Sequence, residues 1–171
     1  PLSAATTNYQ YVAADCPNDG FYTVRNNTNS CFGNSWHSFS SDHTGNTNGY
    51  FMLVNASIQP SAFYLDTVRG LCGNTTYEFA AWIMNVIQPA SCSGNSIQPN
   101  LTFSIERTDG TVLQTYNTGS IPPLTSPTWK QYGFFFTTPA GVEAPNDVFN
   151  PVRELSSIHS IRTTGFFVNR L

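Results

Sequence analysis

The sequence predicts an all-β chain folded as a two-sheet antiparallel β-sandwich of jelly-roll type, braced by disulfides. Three observations carry this expectation. Short apolar or alternating runs recur between Gly, Pro and Asn turns, and no long i, i+3, i+4 apolar pattern interrupts them. Charged residues make up only 10% of the 171 residues, against roughly 25% in ordinary soluble proteins, so the polar surface falls to Asn, Thr, Ser and Gln. Cys16, Cys31, Cys72 and Cys92 form no C-x-x-C pair and read as a disulfide framework.

The elements follow in order. Gly49 to Asn55 reads as a buried strand. Ala62 to Val68 alternates, with Phe63, Leu65 and Thr67 on one face. Thr75 to Val86 is the longest strand, with Tyr77, Phe79, Ala81 and Ile83 on one face and Glu78, Ala80, Trp82 and Met84 on the other. Asn100 to Glu106 turns Leu101, Phe103 and Ile105 inward. Asp109-Gly110 is a hairpin turn, so 101–106 and 111–116 pair. Trp129 to Thr138 is strongly apolar and stops at Pro139. Composition then shifts: Val142 to Leu171 carries six charged residues in thirty. Within that tail, Ser157 to Val168 is expected to supply one or two last strands or an assembly segment.

The length suits one domain spanning 1–171, with enough chain for a real core. A net charge of −3 gives no basic footprint for nucleic acid. No apolar run approaches the ~18 residues needed to span a membrane. The start at Pro1 reads as a processed chain or a fragment. Four cysteines allow three pairings. Cys16–Cys31 with Cys72–Cys92 is expected, since each then closes one modest loop and stabilises by ~3 kcal/mol. The rival use of the thiols, a zinc site, lacks the usual spacing. Disulfides imply a secreted or cell-surface setting. Asn-x-Ser/Thr sequons stand at Asn26, Asn55, Asn74 and Asn100, as expected by chance in a chain this rich in Asn and Thr.

Two segments carry candidate chemistry. The loop Asp42 to Asn48 offers Asp42, Thr44, Asn46, Thr47 and Asn48, with Gly45 and Gly49 for tight turns. Calcium takes six to eight such oxygens, so Asp42, Thr44, Asn46 and Asn48 are candidate ligands of a structural calcium ion. The alternative is an Asx-turn network without metal. Trp36, set among Gly33, Asn34, Ser35 and His37, is either a core side chain or an exposed platform on which the C–H face of a sugar stacks. Gln88, Asn95 and Gln98 on the following long loop would then supply amide hydrogen bonds. Core packing is expected of Trp82 and Trp129, and His43 is expected to be a packed loop histidine. Catalysis has little support: Glu78 and Glu106 fall on strands, and no G-x-S-x-G elbow is present.

Several motifs together resemble secreted β-sandwich modules of Bacteroidetes-type surface proteins, the jelly-roll, galactose-binding-like domains of the carbohydrate-binding-module kind. They are Cys16-Pro17-Asn18-Asp19-Gly20, Ser41-Asp42-His43-Thr44-Gly45, Gly49 to Ala56, Gly70-Leu71-Cys72, Thr75 to Phe79, Pro99 to Phe103 and Trp129 to Pro139. The Asp-His-Thr-Gly start is also similar to MAM domains of animal surface proteins, which share the architecture and a structural cation. The match covers roughly residues 16–141. An acidic last strand, which in that family helps close the cation site, is missing from 142 onward. The resemblance implies a non-catalytic extracellular binding module for a polysaccharide or glycan. The alternative expectation is an adhesin subunit of a self-assembling surface fibre, with the tail adding a strand to a neighbouring copy.

Overall fold

The computed structural model describes residues 1–68, 71–107 and 109–140, together with the backbone of 149–150 and 166–169. The strands are β1 (Gln10–Tyr11), β2 (Phe21–Arg25), β3 (Phe51–Asn55), β4 (Thr76–Met84), β5 (Asn100–Arg107), β6 (Val112–Ser120), β7 (Lys130–Thr137), β8 (Phe149–Asn150) and β9 (Phe166–Asn169). They form a six-stranded sheet in the order β1-β2-β3-β9-β4-β7 and a three-stranded sheet in the order β6-β5-β8. The fold is all-β, as the sequence predicts. Antiparallel pairs dominate, although β1 lies parallel to β2, and β9 lies parallel to both β3 and β4.

The larger sheet is buried on both faces along part of its width, and alternation explains how. Met52 and Val54 of β3 and Phe79, Ala81 and Ile83 of β4 point toward the smaller sheet, where they meet Leu101, Phe103 and Ile105 of β5. Phe79 and Phe103 hold their ring centres 5.1 Å apart. On the opposite face, Phe51, Leu53 and Met84 lie beneath a cap containing Cys31, Trp36, Val86 and Ile87, with Phe32, Phe39 and Trp129 packed alongside. All five residues of β3 are therefore buried. A strand covered on both faces reads as a continuous apolar run, which is the pattern that singled out this segment.

Two strand boundaries have local causes. β4 ends before Asn85 because that buried side chain turns the backbone: its Oδ1 accepts from the Ile87 N–H, and its Nδ2 donates to the Ile121 carbonyl. The β5–β6 hairpin closes at Asp109-Gly110, where Gly110 takes φ +86° and Asp109 Oδ1 accepts from the Thr111 N–H. Ala62 to Val68, expected as a strand, is not one. It touches the N-terminal segment at separate points, Asn8 N–H to the Ala62 carbonyl and Leu65 N–H to the Thr6 carbonyl. Phe63 is still buried, against Tyr9. Of the face expected to be buried, only Phe63 is: Leu65 is half-buried, Thr67 is exposed, and Ala62 of the opposite side is buried. Without a ladder partner the segment does not keep strand alternation.

One of the two expected disulfides forms. Cys16–Cys31 is bridged, with α-carbons 5.6 Å apart. Cys72 and Cys92 are free and exposed, which corrects the second pairing. β4 runs between them. Its nine residues at ~3.3 Å each hold its two ends about 30 Å apart, whereas bridged α-carbons lie about 6 Å apart. Side-chain anchors agree: the Cys72 N–H donates to the Tyr77 hydroxyl near the strand's start, while Ser91, next to Cys92, donates to the Ser35 carbonyl beyond its end. Of the tail expected to supply last strands, Phe166–Asn169 does so between β3 and β4, and most of Ser157 to Val168 lies outside the described residues.

Candidate functional site

The Asp42 loop is a hydrogen-bonded turn. Asp42 Oδ1 accepts from the Thr44 N–H (2.8 Å), the Thr44 hydroxyl (2.7 Å) and the Asn46 N–H (3.1 Å). The Asn46 carbonyl accepts from the N–H groups of Asp42 and Gly49, and Asn46 Oδ1 from the Asn48 N–H. Gly49 is required here: a β-carbon on it would lie 1.9 Å from Asp42 Oδ2. The Thr44 hydroxyl, followed by the backbone N–H groups and the neighbouring His43, holds the Asp42 carboxyl below the usual carboxylate range, while burial acts in the opposite direction.

Calcium takes six to eight oxygen ligands, and as the loop is folded several of its candidate oxygens already serve the turn. Here Asp42 Oδ1, the Asn46 carbonyl and Asn46 Oδ1 all face N–H or O–H donors. Among the described residues no three His, Cys, Asp or Glu side chains gather to hold a metal. Asp15, the nearest acid in sequence to Cys16, is committed to Arg25 and Asn29.

The expected sugar platform at Trp36 is also corrected. Trp36 is fully buried, 0% exposed, against Phe32 in the cap. Residues 35–37 pair with 86–88 through the bridge Trp36↔Ile87 and the bonds His37 N–H to the Val86 carbonyl and Gln88 N–H to the Ser35 carbonyl. Gln88 closes the same joint, donating from Nε2 to the carbonyls of Asn34 and Trp36. Asn95 and Gln98 are exposed on the loop beyond, where Asn95 Nδ2 donates to the Ser93 carbonyl. The four residues therefore share a region without surrounding an open ring. The polar neighbours of Trp36 serve a backbone turn, so they gave no measure of its exposure.

A different aromatic surface is open. Strands β4 and β7 pair with Glu78 opposite Phe135, Ala80 opposite Gly133 and Trp82 opposite Gln131. Antiparallel partners share a face, so these six side-chain positions form one strip on the outer face of the large sheet, where the cap does not reach. At one end the Thr76 and Thr137 hydroxyls meet at 2.9 Å. Phe135 is 67% exposed. The middle is low, because both residues there are small. Gly133 has no room for a side chain: a β-carbon would meet the Phe79 carbonyl at 2.3 Å and Ala80 Cβ at 2.7 Å. At the far end His43 stacks on Trp82 with centres 5.2 Å apart and stands edge-on to Trp129. His43 is thus a packed loop histidine, with its Nδ1 buried and without a partner. His43 lies within the Asp42 turn, between Asp42 and Thr44, and that turn fixes where its ring stands.

The sequence held a signal for this strip. Alternation had already put Glu78, Ala80 and Trp82 on one face, and a face carrying a carboxylate and an alanine is a poor core face. The β4–β7 register, which adds Gln131, Gly133 and Phe135, was not available from the sequence.

The two strand glutamates do not form a catalytic pair. Glu78 lies exposed on the outer face of the large sheet, while Glu106 is buried on β5 of the other sheet and accepts from the Ser104 hydroxyl at 2.8 Å. No helix among the described residues is long and apolar enough to cross a membrane. Comparison with known proteins finds no matching protein family, no matching curated protein and no matching solved structure.

Proposed function

We propose that this chain is a non-catalytic, extracellular binding module whose ligand is a carbohydrate, and that the ligand docks on the outer strip of β4 and β7. The observation that carries this reading is the strip itself: an exposed phenyl ring and a half-buried indole flanking a low floor, with the amide of Gln131, the carboxylate of Glu78 and two threonine hydroxyls at its borders. Sugar rings present apolar C–H faces to aromatic rings and hydroxyls to polar side chains, so both kinds of group are needed side by side. The Cys16–Cys31 bridge supports an oxidising setting. Affinity electrophoresis through gels containing polysaccharides tests the reading. Retardation that is lost in Phe135→Ala supports it; equal mobility of both proteins in every gel overturns it.

A second reading has its own observation. β9, from the tail, lies parallel between β3 and β4, and a slot filled by a chain end is one that a neighbour's chain end can also fill. In this reading the chain assembles into a surface fibre. Light scattering on the full chain and on a version ending at Gly141 decides it: oligomers that disappear on truncation support assembly, and a monomer before and after removes the idea.

A further inference from the structure

Resting on the carbohydrate reading above, we infer that the strip takes a neutral, extended polysaccharide lying along the strands, rather than a single sugar or an acidic glycan. Three features of the strip carry this.

The first is length. From the Trp82–Gln131 row to the Glu78–Phe135 row is four residues of strand, about 13 Å at 3.3 Å per residue. No single pyranose ring bridges that span, so the exposed phenyl of Phe135 at one end and the exposed amide of Gln131, beside the His43–Trp82 stack, at the other engage different sugars of one chain. The second is shape. Ala80 and Gly133 leave the middle without a raised side chain, and Gly133 cannot gain one without displacing the Phe79 carbonyl or Ala80. The result is an open, shallow floor between two rings. It suits a chain whose equatorial linkages keep successive rings flat, and it leaves both chain ends free to project. The third is charge. Glu78 supplies the only formal charge on the six positions of the strip, and it is negative and exposed. A uronate or sulfate placed beside it would meet like charge, whereas neutral hydroxyls can donate to it.

Titration calorimetry with neutral β-1,4-linked gluco- and manno-oligosaccharides of increasing length, and with oligogalacturonates, tests the inference. Affinity is expected to rise with length among the neutral ligands and to be absent for the monosaccharides. Phe135→Ala, at a site exposed enough to leave folding intact, is expected to weaken binding of the longer chains roughly tenfold and to flatten the dependence on length. Glu78→Gln removes the strip's negative charge and is expected to raise binding of the galacturonate relative to that of the neutral chains. Tight binding of a monosaccharide, or preference of the unaltered protein for the galacturonate, overturns the inference while leaving the carbohydrate reading standing. Binding to no ligand in the calorimeter and no polysaccharide in the gels overturns both.

Discussion

Asp42 shows how one side chain can order a loop and, through it, a surface. Its Oδ1 gathers three donors, and the turn it makes delivers His43 onto Trp82. Hydrogen bonds to a carboxylate are stronger than those to an amide, so Asp42→Asn is expected to cost ~1 kcal/mol at neutral pH, read from denaturant midpoints. The pH dependence has a definite sign. The folded-state carboxyl titrates below its unfolded value, so its contribution is complete above the unfolded value of about 3.9. It declines as pH falls below that point and is gone once the folded-state group is protonated. The destabilisation caused by Asp42→Asn should therefore shrink with acid below about pH 4; a gap between the two proteins that stays constant from pH 6 to pH 2 would contradict this account. The residue types in this loop were legible in the sequence, since Asp, Thr, Asn and Gly are the residues of Asx turns. Whether their oxygens would face a cation or the loop's own N–H groups depended on the fold of the loop, and the N–H groups took them.

At the scale of elements, β4 organises the molecule. One face completes the main core, the other divides into a capped part at Met84 and an open part at Glu78, Ala80 and Trp82. Its contact with β7 is close enough at Gly133 that a methyl group has no space. Gly133→Ala is expected to destabilise by ~1–3 kcal/mol through forced displacement of the paired strands; unchanged thermal stability would count against the close approach. β4 also keeps Cys72 and Cys92 apart at its two ends. Both thiols should react with an aromatic disulfide reagent in the native protein, giving two equivalents released without denaturant, whereas a bridged pair would give none. Reducing the Cys16–Cys31 bridge should lower stability by ~3 kcal/mol, because its 15-residue separation otherwise restricts the unfolded chain. Sequence spacing favoured local bridges for both pairs. It failed for the second because a straight strand intervenes, and spacing alone does not show whether the chain between two cysteines doubles back.

At the scale of the whole molecule, the six-stranded sheet is covered by the three-stranded sheet on one face and by the cap on part of the other. The loops of the cap hold together through their own hydrogen bonds and aromatic packing, so removal of divalent ions with a chelator should leave the melting temperature unchanged. A fall of several degrees on chelation, restored by added calcium, would show that the Asp42 loop rearranges around an ion in solution. Alternation and turn residues were enough to determine the all-β class, the long strand β4, the β5–β6 hairpin and the inward sides of both, because these depend on neighbours a few positions apart. The same local information left Trp36 undecided between core and surface, and led to Ala62–Val68 being read as a strand. What only the tertiary structure decided was which residues distant in sequence share a surface. Pairing of 35–37 with 86–88 buried Trp36, and the β4–β7 register joined Trp82, Gln131, Gly133 and Phe135 into one open strip. Period-two alternation assigns each side chain to a face of its own strand, but which strand lies beside it, and what covers that face, follows from long-range packing.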